Sequence, residues 1–294
     1  MLGEVLTAVA TPFRGDGAVD LETFRRLCVH LVENGSDGVL VAGTTGEAPT
    51  LTDAEKISLF EAAVEAIGGR ATVLANTGTY STAHSVHLTA QAHEIGVDGF
   101  VVVTPYYNKP PPRGIVAHFR AIAEASDRPI VVYNIPQRVV VNIESETMAE
   151  LAEIPTVRAV KQATTASDQA RRIVELGLDL YAGNDDLLIP FLEVGATGGI
   201  LVFTHLAGVR VQEAVRRWKD GDADGARAIE TELAPLVRAL AVTTNPIPLK
   251  AALELVGWDV GGLRLPLVEA TEEEREAVRA GLEQAGVLEP AGTR

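Results

Sequence analysis

The 294-residue sequence is 47% hydrophobic and 22% charged, inside the ordinary globular range and far from disordered or fibrous compositions. Its net charge of −15 argues against nucleic acid or an anionic membrane as a partner, because phosphate contacts need clustered cations. The single cysteine, Cys28, excludes an intrachain disulfide and a Cys-rich metal site, and reads as a small buried hydrophobe. The first ten residues lack a basic start followed by an unbroken apolar core, so no secretory signal is expected. No run of about 18 apolar residues predicts a membrane span. The expected location is the cytoplasm.

Along the chain, short β-branched runs alternate with amphipathic segments. A strand near Val5–Ala10 precedes a helix whose face carries Leu21, Phe24, Leu27, Cys28 and Leu31; a second strand, Gly38–Val41, leads to a capping box, Thr52-Asp-Ala-Glu55, before Ile57, Leu59 and Phe60. Further strands are predicted at Ala71–Asn76, Gly99–Thr104, Pro129–Tyr133, Val157–Lys161, Leu178–Ala182 and Gly199–Phe203. Helices are expected to begin near Ser81, Gly114, Ser145, Ser167, Asp186 and Val209. The strands are nearly continuous Val, Ile and Leu, as parallel strands buried on both faces require.

Eight strand–helix repeats fit a (β/α)8 TIM barrel, an α/β fold, better than an open doubly wound sheet. The open sheet usually carries a phosphate-binding glycine fingerprint after its first strand, and Ala10-Thr-Pro-Phe-Arg-Gly-Asp-Gly17 lacks it. The barrel is assigned to residues 1–224. A C-terminal helical appendage, residues 225–294, contains helices expected at Asp222–Val242, Ile247–Val256 and Thr271–Gln284, with a tail from Glu289 expected to fray.

In such barrels the chemistry sits at the C-terminal ends of the strands. Lys161 closes the apolar run Val157-Arg-Ala-Val160, whereas Lys56, Lys109, Lys219 and Lys250 fall in helices or loops. A desolvated amine loses its proton more readily and can attack a carbonyl to form a Schiff base. The alternative is a lysine that caps the strand and snorkels to solvent. Thr44, Tyr107 and Tyr133 stand at other strand ends and can pass protons without adding fixed charge. They could equally be rim residues packing under loops. Gly43-Thr-Thr-Gly46 offers amides and hydroxyls for a carboxylate or phosphate, or is an ordinary turn.

Seven segments occur together and in order over nearly the whole chain: Gly43-Thr-Thr-Gly-Glu47, Val103-Thr-Pro-Tyr-Tyr-Asn108, Tyr133-Asn-Ile-Pro136 with Arg138, Lys161-Gln-Ala-Thr164, Gly183-Asn-Asp185, Asn245-Pro-Ile-Pro-Leu-Lys250 and Leu263-Arg-Leu-Pro266. This pattern resembles the dihydrodipicolinate synthase family. Its wider superfamily, which includes N-acetylneuraminate lyase, shares the Gly-Thr-Thr-Gly-Glu segment, the strand-five tyrosine and the lysine. The Asn-Pro-Ile-Pro segment and Arg138 favour the synthase.

The resemblance implies that Lys161 forms an imine with pyruvate and that Tyr133, Thr44 and Tyr107 relay protons, Tyr107 reaching into a neighbouring subunit's site. Thr45 would hold the pyruvate carboxylate, and Arg138 that of L-aspartate-4-semialdehyde. Gly183 and Ile200 match positions that line the pocket through backbone groups. The product would be 4-hydroxy-tetrahydrodipicolinate, on the route to diaminopimelate and lysine. Neither a metal nor an organic cofactor is implied, and a homotetramer of two tight dimers is. The alternatives are an aldolase that cleaves a sialic or keto-deoxy sugar acid, and a non-catalytic barrel that binds a metabolite carboxylate.

The chain also departs from the family pattern. Val139 and Val140 follow Arg138 where a small polar residue and a glycine are common, and Gln162 replaces a common acidic residue. At positions where many bacterial members bind inhibitory lysine stand Ala48, Pro49, Asp53, Lys56, Tyr80 and His84. That set matches poorly, so inhibition by lysine is not expected.

Three segments imitate other sites. Asp220-Gly-Asp-Ala-Asp-Gly225 resembles the start of a calcium loop, but Thr231 stands where a bidentate acid should, so a helix start is the better reading. His84 and His87 lack a third ligand nearby and are read as a helix face. Glu272-Glu-Glu-Arg-Glu276 is read as the first turn of the last helix.

Overall fold

Each predicted strand run alternates between two apolar faces, and both faces find a partner. In the computed structural model, which describes residues 2–289, eight parallel strands close into a barrel in chain order. They are β1 (Val5–Ala8), β2 (Gly38–Val41), β3 (Thr72–Asn76), β4 (Gly99–Val103), β5 (Ile130–Asn134), β6 (Val157–Gln162), β7 (Asp179–Ala182) and β8 (Gly198–Leu201). All eight predicted strands are present. The first ends two residues earlier than expected.

Leu6, Leu40, Leu74, Val101, Val131 and Ile200 point into the lumen, while their neighbours Val5, Val39, Val73, Phe100, Val132 and Leu201 face the surrounding helices. Burying each such side chain contributes about 1.5–3 kcal/mol, and the lumen is therefore a packed core and not a pore.

The helices are α1 (Leu21–Glu33), α2 (Asp53–Ile67), α3 (Thr82–Ile95), α4 (Pro112–Ala123), α5 (Pro136–Val139), α6 (Ser145–Ala152), α7 (Ser167–Glu175), α8 (Leu188–Glu193), α9 (Thr204–Lys219), α10 (Ala223–Ala239), α11 (Ile247–Leu255) and α12 (Glu272–Gln284). Asp20 caps α1 by accepting the Glu22 and Thr23 amides, and α1 buries Phe24, Leu27, Cys28 and Leu31 as expected. The Thr52/Glu55 capping box opens α2. The one-turn α5, which the periodicity does not reveal, follows β5 directly and starts at Pro136, whose fixed φ suits a first helical position. α9 begins at Thr204 and not near Val209, because a break at Ala207 (φ −138°) separates its first turn from the rest. The C-terminal helices pack on the barrel through α10 against α9, and on one another through α12.

The three imitations resolve locally. Asp220 ends α9, and Asp222 caps α10 by accepting the Gly225 amide. His84 Nε2 lies 2.9 Å from the Asp53 carboxylate. Glu272, Glu273 and Glu274 form the first turn of α12, and Thr271 and Glu274 make a capping box. Residues 290–294 of the tail expected to fray lie outside the described residues.

Candidate active site

The strand register brings the key pair together. Tyr133 on β5 is the direct partner of Lys161 on β6, and alternation points both into the top of the lumen. Lys161 Nζ stands 4.4 Å from the centre of the Tyr133 ring. Both residues are about 95% buried, at 4% and 5% exposure. Burial pushes the Lys161 amine down to about 8; the Asp185 carboxylate opposes the shift and the Arg138 guanidinium adds to it. The Tyr133 phenol is pushed up to about 12 by burial, against the smaller influence of the Thr44 hydroxyl and Arg138. At neutral pH it is therefore a proton donor.

A cavity of about 540 Å³ opens over this pair, and Thr44, Thr45, Arg138, Gly183 and Asp185 line it together with Lys161 and Tyr133. Thr45 is buried, and its hydroxyl accepts a hydrogen bond from Asn245 Nδ2 at 3.0 Å. That contact ties the loop after β2 to the segment before α11. Arg138 sits on α5 at the rim, donating long hydrogen bonds of 3.4 Å to Thr244 Oγ1 and 3.3 Å to the Asn245 carbonyl. Gly183 carries the chain past β6 so closely that a Cβ would lie 2.9 Å from the Gln162 carbonyl. Only glycine leaves that wall of the cavity in place.

The loop that bears Thr44 and Thr45 is anchored beneath. Glu47, buried and with a left-handed φ of 56°, pairs with the buried Lys250 at 2.7 Å and accepts the Arg264 amide at 3.1 Å. Lys250 also donates to the Gly262 carbonyl, and Arg264 to the Glu55 carboxylate. Lys161 is thus one of three buried lysines, with Lys56 and Lys250. Position at a strand end singles it out, and burial alone does not.

Two expected site residues stand elsewhere. Tyr107 lies on the loop after β4, 91% exposed, with φ +72°, and does not line the cavity. Ile200 is packed in the lumen, and Val202, two residues on, reaches the cavity wall. Asp185 and Asn245 fall within the quoted motifs but had no role attached. Asp185 accepts the Val202 and Phe203 amides and Asn245 donates to Thr45, and residue type alone does not reveal such pairings.

The departures also find places. Gln162 points away from the cavity into a chain of neutral amides. It accepts from Asn134 Nδ2 and donates to Thr164 Oγ1 and Gln169 Oε1, and Gln169 donates to the Ile143 carbonyl. Its change from an acid is felt in the helix layer. Val139 is buried and lines a second cavity of about 230 Å³ beyond Tyr133, shared with Ala48, Pro49 and Lys56.

Fold and site together define a (β/α)8 barrel that presents a desolvated amine at its catalytic end. The model of the Dihydrodipicolinate synthetase family matches residues 1–285. The chain is 48% identical to the 4-hydroxy-tetrahydrodipicolinate synthase of Moorella thermoacetica, over 97% of this chain and 99% of that protein. It is 47% identical to the enzyme of the same name from Thermosynechococcus vestitus, over 97% and 98% of the two chains. A crystal structure of the dihydrodipicolinate synthase from Cyanidioschyzon merolae with lysine bound superposes with a TM-score of 0.96 at 41% identity, covering 98% of this chain and 99% of that one. The chain belongs to the dihydrodipicolinate synthetase family.

Proposed function

We propose that this protein is a lyase that condenses pyruvate with L-aspartate-4-semialdehyde to give 4-hydroxy-tetrahydrodipicolinate, in diaminopimelate and lysine biosynthesis, through an imine on Lys161. The observation that carries the reading is the buried Lys161 amine, held at about 8 beside a phenol that keeps its proton. Relatives of the same name across almost the full length support the choice of substrates.

The neutral Lys161 amine adds to the keto carbon of pyruvate. Tyr133 then gives its proton to the carbinolamine oxygen, which departs as water and leaves a cationic imine. Loss of a methyl proton places the electron pair at C3, which bonds to the aldehyde carbon of the second substrate. Attack by that substrate's own amine on the imine carbon closes the ring and releases Lys161. Tyr133, Thr44 and Tyr107 form the relay, and the exposure of Tyr107 outside the cavity supports its serving the site of a second chain. A homotetramer in the cytoplasm fits this arrangement.

Thr45 holds the pyruvate carboxylate, and the fork of Arg138 suits the carboxylate of the aldehyde better than a lysine would. Gly183 contributes backbone groups to the pocket wall, and Val202 takes the place that the resemblance gives to Ile200. Residues 1–224 make up the catalytic barrel and residues 225–294 the appendage, whose Asn245 braces Thr45.

A coupled assay with pyruvate and aspartate semialdehyde tests the reading: turnover is expected, and Arg138→Ala should lower it far more than it lowers pyruvate capture. Turnover with sugar-acid aldehydes but none with aspartate semialdehyde would give the aldolase reading instead.

A further inference from the structure

Asp185 is the group at the mouth of the barrel that the reaction scheme leaves without a task. It begins the short turn after β7, and its two oxygens accept the Val202 amide at 2.8 Å and the Phe203 amide at 3.0 Å, clipping the end of β7 to the end of β8. Two amide donors hold a carboxylate as an anion. Of the residues that line the 540 Å³ cavity, only Asp185 and the exposed Asp186 are acidic, against Lys161, Arg138 and Arg238. The remaining titratable wall is the Tyr133 phenol. The register brings the turn that Asp185 begins to the end of the barrel where Lys161 stands, since Gln162 and Ala182 are partners and the Gly183 amide bonds to the Gln162 carbonyl, and both side chains line the same cavity.

We propose that Asp185 is a positioning residue for the reaction, the fixed counter-ion that keeps the Lys161 imine protonated while its carbon partner loses a proton. An iminium cation is an electron sink and a neutral imine is a poor one, so an anion already oriented by two backbone amides sustains the reactive form without reorganising. Arg138 and Arg238 act in the opposite sense, and Asp185 offsets them locally. Burial pushes Asp185 up to about 6, so it remains charged at neutral pH.

The inference rests on the imine chemistry proposed above, and cyanoborohydride, which reduces protonated imines, separates the two. With pyruvate saturating at each pH, wild-type trapping onto Lys161 should fall at high pH with a midpoint that Asp185→Asn moves down by about one unit. Asp186→Asn should leave the midpoint in place. If Asp185→Asn does not fold, Asp185→Ser, which keeps an acceptor oxygen without the charge, should move the midpoint in the same direction. An unmoved midpoint in a folded, trappable neutral variant, or an equal shift in Asp186→Asn, overturns the counter-ion role. No trapping in the wild type at any pH instead overturns the imine reading itself.

Discussion

Lys161 faces Tyr133 across the β5–β6 ladder, its Nζ 4.4 Å from the ring centre. The relationship is enforced by backbone pairing and not by loop conformation. Two strand residues in register, one proposed as the nucleophile and one as the proton donor, cannot drift apart unless the barrel opens, and such rigidity suits the positioning of a bimolecular reaction.

The first consequence is kinetic. With Lys161 near 8, about a tenth of the amine is neutral at pH 7, against about one in three thousand at 10.5. The initial rate of pyruvate capture should therefore rise about tenfold between pH 7 and pH 9 and then level off, as rapid-quench borohydride trapping would record. A rate that keeps rising in proportion to hydroxide from pH 7 up to about pH 10 would mean that the amine titrates as an ordinary lysine.

Glu47 and Lys250 form a pair almost wholly removed from water, 2.7 Å apart. Removing one partner strands the other, so Glu47→Gln should lose about 3–5 kcal/mol in a urea unfolding experiment. The double variant Glu47→Gln with Lys250→Met should recover much of that. Because Glu47 anchors the loop of Thr44 and Thr45, the single variant should also raise the KM for pyruvate more than it lowers kcat.

Val140 ends α5 with φ +70° while 66% exposed. A β-branched residue in that region is strained by about 1–2 kcal/mol, and little burial is lost on truncation. Val140→Gly should raise the unfolding free energy by about 1 kcal/mol, less the entropy that glycine brings to the unfolded chain. A loss of stability would show that the valine side chain makes a contact worth more than the strain.

How much of this was legible beforehand differed by element. The strands were, because burial on both faces leaves unbroken Val and Ile runs that little else produces. α5 was not: a single turn gives no periodicity, and it carries Arg138. The broken first turn of α9 hid its start. In the site, the type and place of Lys161 and Tyr133 could be read directly, whereas Asn245 on Thr45 and Lys250 on Glu47 join residues about 200 positions apart. The exposure of Tyr107 does not show in its own run, which reads as an ordinary strand end; the family resemblance alone pointed it away from its own cavity.

His205 and His118 give a stability signature. Burial pushes both down to about 4, and His205 is fixed as a neutral ring, with Nδ1 donating to the Val202 carbonyl at 2.8 Å and Nε2 accepting the Ala10 amide at 3.2 Å. The folded pKa lies below the unfolded 6.5. The stabilisation is therefore complete above pH 6.5 and is lost as pH falls toward 4, at up to about 1.4 kcal/mol per pH unit for each ring. Urea midpoints at pH 7.5 and pH 5 should differ accordingly. Equal midpoints would mean that the rings protonate in the folded barrel as they do in the open chain.

The central claim, an imine on Lys161, is most directly tested by borohydride reduction in the presence of pyruvate, followed by peptide mass spectrometry. A reduced pyruvate adduct on the Lys161 peptide, absent without pyruvate and absent in a folded Lys161→Ala variant, is the predicted result. An unmodified Lys161, under conditions that trap the Moorella thermoacetica relative, would contradict it.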